Sequence, residues 1–214
     1  MKIKIFLLTV IILGILSCNK KDDFNYPEGT VGISKITNYP TFSMTGNSYI
    51  SIVVGSTYTE PGVKALEGTS PLTVTTTSSL NTNTPGICVI TYSAVNKDGF
   101  AGSVSRTVVV LPSAEVAGAD LSGNYDYVAG GTTSTITKVA PAVYFANNTW
   151  SAATTIPLIL VSVDGLSITI YNQSTAYGPA IGTGTYTPAT KRLVYKITLS
   201  AQGISNSTRT WQKQ

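Results

Sequence analysis

Arg192-Leu193-Val194-Tyr195-Lys196-Ile197-Thr198-Leu199 alternates along its whole length. A period of two puts Leu193, Tyr195, Ile197 and Leu199 on one face and Arg192, Val194, Lys196 and Thr198 on the other. That is an antiparallel strand with one buried and one mostly wet side. Similar patterning extends in both directions. It opens with Leu121-Ser122-Gly123-Asn124-Tyr125-Asp126-Tyr127-Val128 and predicts further strands at 133–139, 142–146, 156–163, 166–172, 182–187 and 205–212, besides 192–201. Val163-Asp164-Gly165-Leu166 joins two of them and is the strongest hairpin signal in the chain. A type I′ turn there needs positive φ at both central residues. So many short strands in residues 120–214 imply a small antiparallel barrel or sandwich, closed or nearly so, because an open sheet would leave a sticky edge.

Toward the N-terminus, strands are predicted at 41–44, 48–54, 63–65, 73–76, 86–96 and 102–111, separated by Gly, Pro and Asn turns. With breaks allowed this is about seven short strands, the content of an immunoglobulin-type sandwich. Pro85-Gly86 supplies a preset φ followed by a permissive residue ahead of a central strand. Asp98-Gly99 reads as a second type I′ hairpin turn, which makes Asp98 a turn residue rather than a catalytic acid. Between the two halves, Pro112-Ser113-Ala114-Glu115-Val116-Ala117-Gly118-Ala119 has small residues and no alternation, and reads as a linker. The expected organisation is an all-β chain: a signal at 1–17, a tether at 18–38, an immunoglobulin-like domain at 39–111, a linker at 112–119 and a C-terminal antiparallel β domain at 120–214.

Three motifs carry a resemblance: Gly55-Ser56-Thr57-Tyr58-Thr59-Glu60-Pro61-Gly62-Val63, Thr84-Pro85-Gly86-Ile87-Cys88-Val89-Ile90-Thr91-Tyr92, and Asp98-Gly99 with a closing Arg106-Thr107-Val108-Val109-Val110. In order and rough spacing they resemble bacterial immunoglobulin-like domains related to the hyalin repeat. That implies a fold and little about activity, since the fold hosts many functions. The opening Leu121-Ser122-Gly123-Asn124-Tyr125 and the run from Gly182 to Leu193 look like the C-terminal β domains that follow such a module in Bacteroidota lipoproteins of unknown function.

The first residues have the order of an export signal. Lys2 and Lys4 precede an apolar stretch from Ile5 to Leu16 that is too short to span a bilayer, which takes about 20 apolar residues. Ile15-Leu16-Ser17-Cys18 resembles a bacterial lipobox; the alternative is an ordinary signal with a cleavage site at another small residue. The resemblance implies acylation of Cys18, cleavage before it, and a durable hold on the membrane through the acyl chains. Asn19-Lys20-Lys21-Asp22-Asp23 is similar to the charged stretch behind the lipidated Cys in Bacteroidota surface lipoproteins, which implies the outer membrane and its outer face. As chemistry alone, the stretch is a solvated tether.

Composition narrows the function. Lys and Arg total 14 against 10 Asp and Glu, two of the Lys lie in the signal, and no basic cluster suggests a nucleic-acid face. With Cys18 lipidated, Cys88 has no disulfide partner. Its alternation with Ile90 and Tyr92 makes it a buried thiol. The chain has no His, which excludes Ser-His-Asp and Cys-His arrangements and leaves a poor zinc ligand set. Of the carboxylates, Asp98 and Asp164 fall in turns, Glu60 precedes a Pro-Gly turn, and Glu115 and Asp120 belong to the linker. Asp126 alternates onto a solvent face. No cofactor or metal is expected, and no enzyme.

Aromatic residues carry the remaining signal. Tyr125, Tyr127, Tyr144, Phe145, Trp150, Tyr171, Tyr177, Tyr186, Tyr195 and Trp211 crowd the second half. Tyr195 and Trp211 read as core. Trp150 and Tyr177 sit beside turn residues, open to exposure or burial, and Asn147 and Asn148 place amides next to Trp150. A ring beside amides is the chemistry that grips a sugar. The sequence therefore points to a membrane-anchored, non-catalytic binding protein, with glycan as the ligand, the first domain as a spacer, and Asn147, Asn148, Trp150 and Tyr177 as ligand contacts. The alternatives are a structural or adhesive protein contacting other envelope proteins, and a glycoside hydrolase.

Overall fold

A computed structural model describes residues 30, 31 and 34–214. The predicted signal and Cys18 lie outside them, as does most of the predicted tether. The chain divides into two units, residues 1–38 and 39–214. In the first, β1 (Thr30–Val31) pairs antiparallel with β2 (Ser34–Lys35).

The second unit contains a sandwich and a barrel, and no α-helix occurs among the described residues. One sheet of the sandwich orders β3 (Pro40–Met44), β5 (Val63–Glu67) and β6 (Ser70–Leu72). The other orders β4 (Tyr49–Val53), β9 (Ala101–Leu111), β8 (Gly86–Val95) and β7 (Thr75–Thr77), with β4 running parallel to β9. This is the expected immunoglobulin-like sandwich. Its core is Ile90, Tyr92 and Val108, packed against Met44, Ile52, Val63, Val74 and Leu80. Cys88 is buried on the same face as Ile90 and Tyr92, with its Sγ 3.7 Å from Ser79 Oγ.

The barrel is a closed meander of β10 (Gly123–Tyr127), β11 (Thr133–Ala140), β12 (Val143–Ala146), β13 (Leu158–Val161), β14 (Ser167–Thr175), β15 (Gly178–Thr187), β16 (Arg192–Leu199) and β17 (Ile204–Lys213). Tyr125 pairs with Lys213 and Tyr127 with Trp211, so β17 closes on β10 and no edge is left. Side chains fill the interior. Leu193, Tyr195, Ile197 and Leu199 point inward as their spacing requires, and meet Tyr125, Tyr144, Ile136, Leu158, Leu160, Ile170 and Trp211. Gly184 admits the Tyr195 ring: a Cβ there would stand 2.9 Å from Tyr195 Cδ1 and 2.9 Å from the Val194 carbonyl.

Both Asp-Gly turns differ from the expected type I′ geometry. Only the glycines, Gly99 (φ 87°) and Gly165 (φ 70°), take positive φ. The reason is a side-chain anchor in each turn. Asn96 Oδ1 accepts from the Asp98 and Phe100 amides at 3.1 and 2.7 Å, while Asp164 Oδ1 accepts from the Leu166 and Ser167 amides at 2.8 and 2.7 Å. Burial alone would raise the Asp164 carboxyl, but these amide bonds and Ser162 outweigh it and hold the group below its ordinary value.

Sandwich and barrel share one apolar seam. Val109 and Leu111 of β9 pack with Ala142, Val143 and Val161, and Ile87, Ile159 and Tyr171 flank them. The segment read as a linker is bonded to the barrel. The Val116 amide donates to the Val163 carbonyl at 2.7 Å, and Glu115 Oε1 accepts the Ala142 amide at 2.7 Å and pairs with Lys138 at 2.9 Å.

Candidate functional site at the loop end of the barrel

The meander sends alternate connections to opposite ends. Segments 141–142, 162–166 and 188–191 lie at one end, and 128–132, 147–157, 176–177 and 200–203 at the other. The first end is closed by the chain that leads into β10. Tyr125 donates to the Leu121 carbonyl at 2.7 Å, and Tyr144 donates to the Ala119 carbonyl at 3.2 Å. Burial, with Glu115 nearby, pushes the Tyr144 hydroxyl up to about 12. Lys138 meets Glu115, and Asp120 is held below its ordinary carboxylate range by Ser122, whose hydroxyl and amide donate to it at 2.6 and 2.9 Å, with Lys213 and Lys138 adding to the effect against a small burial cost.

The second end carries all four residues that the sequence singled out. Asn148 organises its longest loop: Oδ1 accepts from the Trp150 amide at 2.9 Å and the Ile156 amide at 3.3 Å, while Nδ2 donates to the Ser151 carbonyl at 3.0 Å. Thr149 donates from both its amide and its hydroxyl to the Ile156 carbonyl at 2.9 Å. The loop is thereby folded over the barrel mouth, and Trp150 and Ile156 join the interior core.

The expected roles change accordingly. Asn148 is buried and its amide is engaged within the loop, so it does not offer itself to a ligand. Trp150 is only 9% exposed, and one face is covered by Arg209, whose guanidinium carbon lies 3.8 Å from the ring centroid. Trp150 is therefore not an open platform for a sugar, because the loop that carries it turns the ring inward. Asn147 is exposed, and its Oδ1 accepts from the Thr135 amide at 2.9 Å and the Ser134 hydroxyl at 3.3 Å. Tyr177 is 37% exposed on the β14–β15 turn, and its carbonyl accepts from Gln202 Nε2 at 3.3 Å. The structure thus groups Asn147, Asn148 and Trp150 in one loop and places Tyr177 on another hairpin at the same end.

Arg209, which sequence reasoning passed over, is the unusual group here. It stands opposite Tyr195 on β17, two residues before the buried Trp211, and so faces inward. Nη1 lies 3.4 Å from the Tyr127 hydroxyl, and Nε is buried without an acceptor. Trp211 packs on Tyr127 at 4.9 Å between ring centroids, and its Nε1 also lacks an acceptor. Among the described residues no carboxylate pairs with Arg209.

Several carboxylates have partners of their own. Glu60 pairs with Arg106 at 3.2 Å in the sandwich, Glu67 with Lys97 at 3.5 Å, and Asp126 accepts from Gln214 Nε2 at 3.0 Å on the surface. No group of three metal-ligating side chains occurs among the described residues.

Residues 42–110 match the family described as bacterial surface protein, Ig-like domain. A solved lipoprotein of Bacteroides thetaiotaomicron is similar at 22% identity, with 82% of this chain and 100% of that chain covered and a TM-score of 0.40. ZmpB of Clostridium perfringens, solved as a catalytic domain with two CBM51 domains, is similar at 15% identity over 76% of this chain and 15% of that chain, with a TM-score of 0.30. No curated protein matches significantly.

Proposed function

We propose that the protein is a lipid-anchored accessory protein of the bacterial surface that binds a ligand and does no chemistry on it. The sandwich holds the barrel, and the loop end of the barrel bears the ligand, a glycan. A matching surface-type Ig-like segment and the lipobox-like Ile15-Leu16-Ser17-Cys18 support a place on the outer face of the outer membrane. The observation that carries the reading is the asymmetry of the barrel. At one end Lys138 is paired with Glu115 and Asp120 is held by Ser122, while the loop end combines an inward cation without a paired carboxylate, its Nε donor without an acceptor, and exposed Tyr177 and Asn147. Carboxylates that are individually tied to cations, amides or Gln214 weigh against hydrolysis, which needs two of them converging on one bond.

A glycan array with the full chain in detergent tests this. Wild type should bind at least one glycan class, and Tyr177→Ala should weaken that binding. Silence across the array would remove the ligand-binding reading.

A second reading, adhesion to another envelope protein, draws on Tyr39 and Phe100. These rings are 61% and 45% exposed, with centroids 5.3 Å apart, at the end of the sandwich where the β8–β9 turn lies. Cross-linking in cells distinguishes it, since a single dominant protein neighbour, lost in Phe100→Ser, would favour adhesion.

A further inference from the structure

We infer that Arg209 is the seat of a ligand carboxylate, so that the glycan class recognised at the loop end of the barrel is acidic, of the uronic acid type. This rests on the reading of that end as the ligand-binding surface and adds to it the charge of the ligand.

A cation drawn out of water needs an opposite charge or a full set of acceptors. Other cations that pack into this chain have them: Arg106 has Glu60 and the carbonyls of Thr45 and Asn47, Lys138 has Glu115 and the Ala119 carbonyl, and Lys213 lies near Asp120. Arg209 has the face of Trp150 and one long contact to a phenol. A ring face attracts the guanidinium but accepts no conventional N–H hydrogen bond from it.

A site made in this way is donor-rich and acceptor-poor. Nε of Arg209 is without an acceptor, and the Tyr127 hydroxyl beside its Nη1 has a proton to give. Water would satisfy the neutral donors but not the charge. A planar carboxylate satisfies both, because two parallel N–H groups of a guanidinium match its two oxygens. Arg209 remains partly exposed, so a group arriving from solvent at the loop end can reach it. Trp150, against which Arg209 packs, and Trp211 are the two tryptophans of the chain and provide a readout.

The test is a titration of the full chain in detergent, followed by tryptophan fluorescence and calorimetry. The probes are a uronic acid oligosaccharide, its methyl-esterified form, a neutral oligosaccharide of the same length, and a sulfated one. The acid should bind at least about tenfold more tightly than its ester, and added salt should weaken it. Arg209→Gln should abolish that preference, and Arg209→Lys should restore only part of it, since an ammonium offers charge without the fork. Ester and acid binding alike, the sulfated chain binding more tightly than the uronate, or Arg209→Gln retaining the preference while folded, would each overturn the carboxylate assignment and leave a ligand-binding barrel standing. Binding of none of the four probes, together with silence on the array, would remove the ligand-binding reading itself. The ester comparison uses wild type only, so the inference stays open to refutation even if both variants misfold.

Discussion

Arg106 and Arg209 hold equivalent places in two strands and have opposite surroundings. Each sits at the inward parity of its strand, Arg106 with Val108 and Val110, Arg209 with Trp211. Arg106 is fully buried in the sandwich and is answered by Glu60, by the Thr45 carbonyl at 2.7 Å and by the Asn47 carbonyl. Tyr58 donates to the same Glu60 at 2.5 Å, the Gly62 amide donates at 3.0 Å, and Tyr92 lies beside the pair without a well-aligned bond. Arg209 has a ring and a phenol. A buried charge whose counter-charge lies in the same chain serves the fold. One left short of it is what the proposal for the barrel rests on.

The largest effect should come from breaking the satisfied site. Arg106→Met leaves Glu60 without its cation and two carbonyls without their donor, and should cost about 3–5 kcal/mol in chemical denaturation, with β3–β4 and the 58–62 segment losing hydrogen-exchange protection first. Trp150→Ala should come next, at about 3 kcal/mol, because it empties core volume and uncovers Arg209. The loss should appear in barrel amides around 147–157 rather than in the sandwich.

A smaller effect should appear in the pH dependence of stability. Burial would raise the Glu60 carboxyl, but Tyr58, Tyr92, the Gly62 amide and Arg106 outweigh it and hold it below its ordinary value. A lowered folded pKa contributes stability above the unfolded value near 4.3, and that contribution fades as pH falls through the folded value. Thermal melts of wild type should therefore hold level from pH 7 to about 5 and decline below about 4. Glu60→Gln should sit roughly 1.5 kcal/mol lower at neutral pH and converge with wild type in acid. A constant gap at every pH would show that the charge of Glu60 is not what matters. The smallest effect should be Arg209→Gln, within about 1 kcal/mol of wild type, because no counter-charge is orphaned by its removal. A loss as large as that of Arg106→Met would show Arg209 to be structural.

Much of this architecture is written in alternation. Leu193, Tyr195, Ile197 and Leu199 face inward as their spacing demands, and so do Cys88, Ile90 and Tyr92, because a half-buried strand has only two faces to choose between. The same parity rule, applied to charged residues, would have exposed both arginines as inward-facing. They were passed over because charge in a strand is ordinarily read as solvent-facing. The Asp-Gly turns went astray for a local reason: side-chain acceptors at Asn96 and Asp164 captured the turn amides and made a second positive φ unnecessary. Trp150 sits at the loop end of the barrel, but its ring is turned inward. Whether a loop ring faces out depends on partners distant in sequence, here Arg209 on the last strand.

By itself the sequence determined an all-β chain, a sandwich followed by a barrel-like domain, and the inward faces of their strands, since these follow from periodicity and turn chemistry a few residues at a time. Tertiary structure alone decided that the barrel closes, that the 112–119 segment is bonded to it, and which buried cations find an acid. Those depend on residues far apart in sequence meeting across strands, and a charge is only as costly as the groups that surround it.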